Sequence, residues 1–267
     1  MLKAFLFFAA LAPASAAAQG KPGAPAGAPC PAATICIERS GADYRFRFDY
    51  PAAATRLPAL QAMLEAEAAR EEAELAAIAA SEPVTVPLRY QGSYRLDAEL
   101  PELIALSGPE NSDGAVRERS LLYDPRNGER LQLIDLFQPE TFDTNLFWSP
   151  VRGIRAVQQS FCSALTGAVR ARRGEPDYKI VCPNVEEQTV AMTCNGRGRI
   201  LGMRATVGLT ATRAVDPDAP AEYRVSFPVS AEMIGTMKRR YRVAFGVPGE
   251  RGRNRTCLPV AAGGRDG

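Results

Sequence analysis

Apolar and polar residues alternate first in ICIERSGADYRFRFDYP, from Ile35 to Pro51, where Tyr44, Phe46 and Phe48 fall on one side and Arg45, Arg47 and Asp49 on the other. A period of two predicts a half-buried strand, which Pro51 stops. The period then lengthens. Between Thr55 and Ala80, Leu57, Leu60, Leu64, Leu75 and Ile78 form one stripe at helical spacing, and Glu65, Glu67, Glu71, Glu72 and Glu74 are expected on the remaining, solvated faces. Val84 to Leu106 supplies two or three strands rich in branched and aromatic residues, and SGPENSDGAV after them reads as loop. Two apolar runs, Leu121 to Tyr123 and Leu131 to Ile134, flank DPRNGE, whose Pro125 and Asn127-Gly128 suit a tight turn, so LLYDPRNGERLQLIDLF predicts a hairpin. Helical spacing returns at Ile154, Val157, Phe161, Leu165 and Val169, predicting a second helix from Ile154 to Arg172 that Gly174 and Pro176 end. The strand candidates TVAMTC, ILGMRATVGLTAT, EYRVSFPV and RYRVAFGV follow, with turns at Asn195-Gly196, Asp216-Pro217 and MIGTMK. Strand, helix, strands, helix, strands is the order of an α+β fold: mainly antiparallel sheets packed with two principal helices.

The ends of the chain read differently. MLKAFLFFAALAPASAAAQG has one lysine, an apolar run from Ala4 to Ala12 and small residues around Ala14, Ala16 and Ala18, the order of a secretory signal peptide over residues 1–18. The run is too short for a transmembrane anchor. Residues 19–34 are a Pro/Gly/Ala-rich linker, 35–150 a strand-helix-strand part, 151–260 a helix and antiparallel-strand part, and 261–267 a tail. Cys30, Cys36, Cys162, Cys182, Cys194 and Cys257 make an even set, as disulfides of a periplasmic or secreted protein would. Spacing favours the local pairs Cys30–Cys36 and Cys182–Cys194, leaving Cys162 for Cys257. No C-x-x-C pair occurs, which argues against a zinc site, and no metal or cofactor is expected.

Charge and composition narrow the chemistry. Lys plus Arg is 32 against 30 Asp plus Glu, a formal net charge of +2, which argues against a nucleic-acid partner. Histidine is absent, which excludes Ser-His-Asp and Cys-His catalysis. Carboxylates remain: Asp97, Glu99 and Glu102 cluster near a strand end, and Asp135 precedes Leu136-Phe137. Such groups could serve glycoside acid–base chemistry, but strand-face alternation and turn capping explain them as well. Lys238, Arg239 and Arg240, with Arg242, Arg251, Arg253 and Arg255, make a basic C-terminal region able to meet an anionic polymer or an acidic face. Cys194-Asn195-Gly196-Arg197-Gly198 lacks the Lys-Ser/Thr ending of a phosphate loop and reads as a turn.

A set of short landmarks runs through this pattern: Phe48-Asp49-Tyr50-Pro51 closing the first strand, Tyr90 after the helix, Tyr123-Asp124 with Asn127-Gly128 in the hairpin, and Leu133-Ile134-Asp135-Leu136-Phe137 beyond it. Together with YRVSFPVSAEM, from Tyr223 to Met233, they resemble the PdaC/RsiV-like extracytoplasmic domain family, which includes the non-catalytic domain of a peptidoglycan deacetylase and the lysozyme-binding part of an anti-sigma factor. The resemblance spans roughly Ile35 to Val247 and gives Asp49, Tyr50, Pro51, Tyr123, Asp124, Gly128, Asp135, Leu136 and Phe137 structural roles. It implies a non-catalytic binding module at the cell envelope, recognising a lysozyme-type protein or cell-wall glycan. Where the family has a Gly-Gly-Ala-His type loop, this chain has Asn111-Ser112-Asp113-Gly114-Ala115-Val116; Asn111 and Asp113 there, with Lys238, Arg239 and Arg240, are the candidate binding residues. The alternative is a carboxylate-dependent glycan-degrading enzyme using Asp97, Glu99, Glu102 or Asp135.

Overall fold

A computed structural model describes residues 29–81, 85–138, 152–194, 199–208, 212 and 222–246. The expected signal peptide, the turns at Asn195-Gly196 and Asp216-Pro217, Cys257, Arg251, Arg253, Arg255 and the tail lie outside the described residues. The architecture is α+β: two mostly antiparallel sheets and two long helices. β1 (Thr34–Ser40) and β2 (Tyr44–Pro51) form an antiparallel hairpin. The single strand expected from Ile35 is therefore broken at Gly41, whose N–H bonds Tyr44 O at 3.2 Å.

α1 (Pro58–Ser81) carries the chain from β2 to β3 (Leu88–Ser93), which pairs parallel to β2. Parallel neighbours need such a crossover, and here the helix supplies it. β4 (Arg95–Leu100), β5 (Leu103–Ser112), β6 (Ala115–Asp124) and β7 (Glu129–Leu131) complete the large sheet, in the order β1-β2-β3-β5-β6-β7 with β4 also paired to β5. The stretch SGPENSDGAV, expected as loop, is the outer half of the β5–β6 hairpin. Its polar composition suits an exposed hairpin, whose corner is Asp113-Gly114 with φ of 51° and 88°.

β5 and β6 divide the interior. Ile104, Leu106, Leu121 and Tyr123 face α1, joining Phe46, Phe48, Tyr50, Leu60 and Leu64. Leu103, Ala105 and Leu122 face the other way, into a core with α2 (Arg152–Arg173) and the second sheet, β8 (Thr189–Cys194), β9 (Ile200–Val207) and β10 (Tyr223–Pro228). All five apolar positions expected on the second helix are buried in that core. It draws on both sides of residue 150, with Leu100, Leu103 and Leu136 against Phe161, Met203 and Phe227.

Three expectations change toward the C-terminus and along α1. MIGTMK, expected as a turn, is mostly α3 (Ala231–Thr236), because Ser230 Oγ accepts the Met233 N–H at 3.1 Å and starts a helix. RYRVAFGV is not a strand: α4 (Arg239–Arg242) turns there, leaving an isolated bridge from Phe245 to Ile200. On α1, Ile78 is 58% exposed, while Glu67, counted among solvated residues, is buried. The cysteines also pair differently. Cys30–Cys36 is bridged, but Cys162 bonds Cys182, so neither Cys182–Cys194 nor Cys162–Cys257 forms. α2 lies beside the segment that carries Cys182, with the two Cα atoms 5.7 Å apart. No helix among the described residues is long and apolar enough to cross a membrane.

Candidate functional site

The β6–β7 hairpin is fixed by one buried carboxylate. Asp124 Oδ1 accepts the Arg126 N–H at 2.9 Å and its other oxygen accepts the Tyr241 hydroxyl at 3.0 Å, with Arg240 at 3.3 Å. Burial, then the hydrogen bond to Asp124, pushes the Tyr241 hydroxyl up to about 12. Gly128 takes φ of 72°, a conformation that favours glycine, and its N–H returns to Asp124 O at 2.9 Å. After β7 the chain leaves the sheet in a 3₁₀ turn, Leu133–Leu136, where Asp135 Oδ2 accepts the Gln132 N–H at 2.7 Å. Leu136 and Phe137 then enter the core, Phe137 bridging to Met237.

A cleft of about 400 Å³ opens where β7 leaves. One wall is Arg130, Leu131, Gln132, Leu133 and Ile134; Ser120 and Leu122 of β6 form the floor; Val185, Glu186, Gln188 and Val190 form the far wall. That far wall is fastened to α2: Gln158 donates to Pro183 O at 2.8 Å, accepts the Val185 N–H at 2.7 Å, and sits against both sulfurs of Cys162–Cys182. Asn184 caps the turn Val185–Glu187 by accepting the Glu186 N–H at 3.1 Å. Gln132 and Glu186, both exposed, stand at the rim, while Arg130 reaches Glu67 of α1 at 3.9 Å.

Beneath α1 lies a second polar cluster, centred on Arg119. Its guanidinium donates to Glu67 Oε1 at 2.8 Å and to the Tyr90 hydroxyl at 2.9 Å, reaches Glu71 at 3.4 Å, and lies over the rings of Phe48 and Tyr94 at 5.2 and 5.0 Å. Tyr94 donates to the same Glu67 oxygen at 3.0 Å. Burial pushes the Tyr90 and Tyr94 hydroxyls well above their usual range. Gly92 makes room: a Cβ there would lie 2.6 Å from the Arg119 guanidinium. With its groups bonded to one another under the helix, the cluster is a clamp rather than an open site.

The residues expected to bind fall at opposite ends of β6. Asn111 and Asp113 sit at its outer corner, where Asn111 Oδ1 accepts the Gly114 N–H at 3.0 Å and the Asp113 N–H bonds Arg89 O at 2.8 Å. Lys238, Arg239 and Arg240 lie by Asp124 at the inner end, Arg239 exposed and Arg240 paired to Asp124. The ten residues of β6 separate the two groups by roughly 30 Å at ~3.3 Å per residue, so they are not brought together. The carboxylates weighed for catalysis are each engaged: Asp97 with Arg95 at 3.3 Å, Glu99 with Arg56 at 2.6 Å, Glu102 with Arg126 at 3.6 Å. Burial raises the Asp97 carboxyl, against the lowering effect of Ser107 and Arg95. Of the family landmarks, Tyr50 donates to Glu65 at 3.2 Å, and Asp49 accepts from Arg47 at 3.0 Å while Pro51 closes β2.

Sequence reasoning passed over Ser120, Glu186 and Gln188, which belong to no motif, and read Arg130 and Gln132 only as part of the hairpin; the five come from three separate segments. Arg119 did carry a signal, since it alternates with Leu121 and Tyr123 and therefore shares their inward face.

No family model matches the chain, and no curated protein matches it. Two solved DUF3298 family proteins are similar to this chain. One, from Pseudomonas aeruginosa PAO1, is 13% identical, with 80% of this chain and 96% of that one covered at a TM-score of 0.46. Another, from Bacteroides fragilis NCTC 9343, is 11% identical, with 78% and 93% covered at a TM-score of 0.41.

Proposed function

We propose that this chain is an exported, non-catalytic binding module of the PdaC/RsiV-like kind, acting at the cell envelope on a lysozyme-type protein or on cell-wall glycan. The observation that carries the reading is a contrast between two sets of side chains. Gln132 and Glu186 stand exposed at the rim of a cleft lined by both polar and apolar residues, whereas Asp97, Glu99 and Glu102 are each paired to an arginine and Asp135 accepts a backbone N–H. Glycoside cleavage needs two carboxyl groups facing one sugar across about 5–9.5 Å, one of them free to give up a proton. Asp97 has the raised carboxyl such a role wants, but it is only 2% exposed and does not line this cleft.

The test is calorimetric titration of the oxidised chain, lacking residues 1–18, against lysozyme and against soluble peptidoglycan fragments, with the fragments then analysed for cleavage. Saturable binding with intact fragments is expected. Shortened fragments would favour the enzyme, and no heat with either ligand would overturn the reading.

A further inference from the structure

We propose that the cleft receives an extended polypeptide segment of a protein partner, which adds to the edge of β6 that β7 leaves open. The inference rests on the binding-module reading and gives it a partner class. β7 pairs with β6 only from Leu122 to Asp124, with Leu131 opposite Leu122. Continued in that register, residue 132 would face Leu121 and residue 133 would face Ser120. Instead the chain turns away at Leu133, and among the described residues Ala115 to Leu121 has β5 as its sole strand neighbour. The cleft opens at this vacant place, because Ser120 and residues 131–134 all line it.

An open edge presents main-chain N–H and C=O groups, and an added strand satisfies them while alternate side chains fill adjoining pockets. Here the pocket is lined by polar Ser120, Gln132 and Gln188 as well as by Leu131, Ile134, Val185 and Val190, and suits a side chain with a short aliphatic stem. Glu186 places a charge at the rim, on the wall opposite β7, while Arg130, paired across from Tyr123, turns toward Glu67 of α1 at 3.9 Å. A segment with a basic residue toward Glu186 complements that charge. None of the lining residues is aromatic, so the face on which a sugar ring would stack is missing, which favours polypeptide over glycan. Past Ser120 the same face of β6 is closed by Glu118, bonded to Arg204 and Thr206 of β9, so only the first one or two inward side chains of the segment find a pocket.

A library of random heptapeptides displayed on phage, panned against the oxidised chain lacking residues 1–18, tests this with the Ser120→Lys variant as counter-target. The lysine fills the cleft from its floor. Enriched peptides should bind the variant at least tenfold more weakly, and one N-methylated at alternate backbone nitrogens should lose binding by a similar factor. Bound peptide should also slow amide hydrogen exchange within residues 115–121 of the unsubstituted protein, a readout that does not depend on the variant's folding. No enrichment over the counter-target, or peptides that leave those amides unprotected, would overturn the proposal. Lysozyme or peptidoglycan fragments binding protein and variant equally would overturn the edge proposal while leaving the module reading intact.

Discussion

Arg119 is 9% exposed, yet it carries a full charge between a helix and a sheet. Two buried ions are costly to desolvate, and removing one partner leaves the other uncompensated, at about 3–5 kcal/mol. Arg119→Met is therefore expected to lower unfolding free energy by that order in urea titrations, and Arg119→Met with Glu67→Met by less than the sum of the single changes. A single variant costing under ~1 kcal/mol would show that the clamp contributes little. Asp97 makes the opposite case. Burial raises its carboxyl above the unfolded value of about 3.9 in spite of Ser107 and Arg95. A raised folded value means that the protonated form is favoured, so this contribution to stability is present below pH about 4 and lost as pH rises through the folded value. Asp97→Asn should consequently raise Tm at pH 7 by a few degrees, about 2–4 °C per kcal/mol for a chain of this size, and by little at pH 3.5. A lower Tm at pH 7 would mean that its pairing with Arg95 outweighs desolvation. Asp135→Ala removes one hydrogen bond of a turn and is expected to cost about 1 kcal/mol, with ligand titrations unchanged.

At the scale of elements, what could be read from the chain depended on how local the cause was. α2 was legible because five apolar residues at steps of three and four make a stripe by themselves, and the β6–β7 hairpin because Asn127-Gly128 dictates a turn. The β5–β6 hairpin was not, because proline, glycine, asparagine and aspartate in that stretch read as loop until a long register with β6 holds them extended. α1 was legible as a helix and, at Leu60, Leu64 and Leu75, in its facing, but not at Glu67 and Ile78. Glu67 turns inward, with Glu71 and Glu72 half-buried beside it, because Tyr44, Tyr94, Arg39 and Arg119 wait on the sheet, partners that are distant in sequence. The cleft was invisible for the same reason, its walls meeting only after α2 is bonded through Cys162–Cys182 to the segment beyond it. That bridge closes a loop with a sequence separation of 20, for which chain entropy gives about 3 kcal/mol. Replacing both cysteines by serine should cost about that much. It should also loosen Val185 to Gln188, seen as faster amide exchange there than in β5; exchange unchanged in that segment would mean that Gln158 alone holds the wall.

For the whole molecule, the decisive feature is that β5 and β6 are walls of two cores at once, with Ile104, Leu106 and Leu121 on one side and Leu103, Ala105 and Leu122 on the other. Loss of either core exposes the strands that support its neighbour. Thermal unfolding should be a single transition, with tyrosine fluorescence, which is weighted to the α1 side, and far-ultraviolet dichroism giving the same midpoint; separated midpoints would show that the cores melt independently.

The shared wall also makes the protein divisible by sequence but not by interior. A proteolytic nick or a genetic break between residues 138 and 152 would yield one fragment with a complete α1 core and a bare apolar sheet face, and a second whose α2 and small sheet have nothing to lie against. Neither piece should remain in solution alone, yet mixed from denaturant they should find each other and rebuild the interior. The pair would be a built-in reporter of association, reconstituted by the sheet face they were cut from.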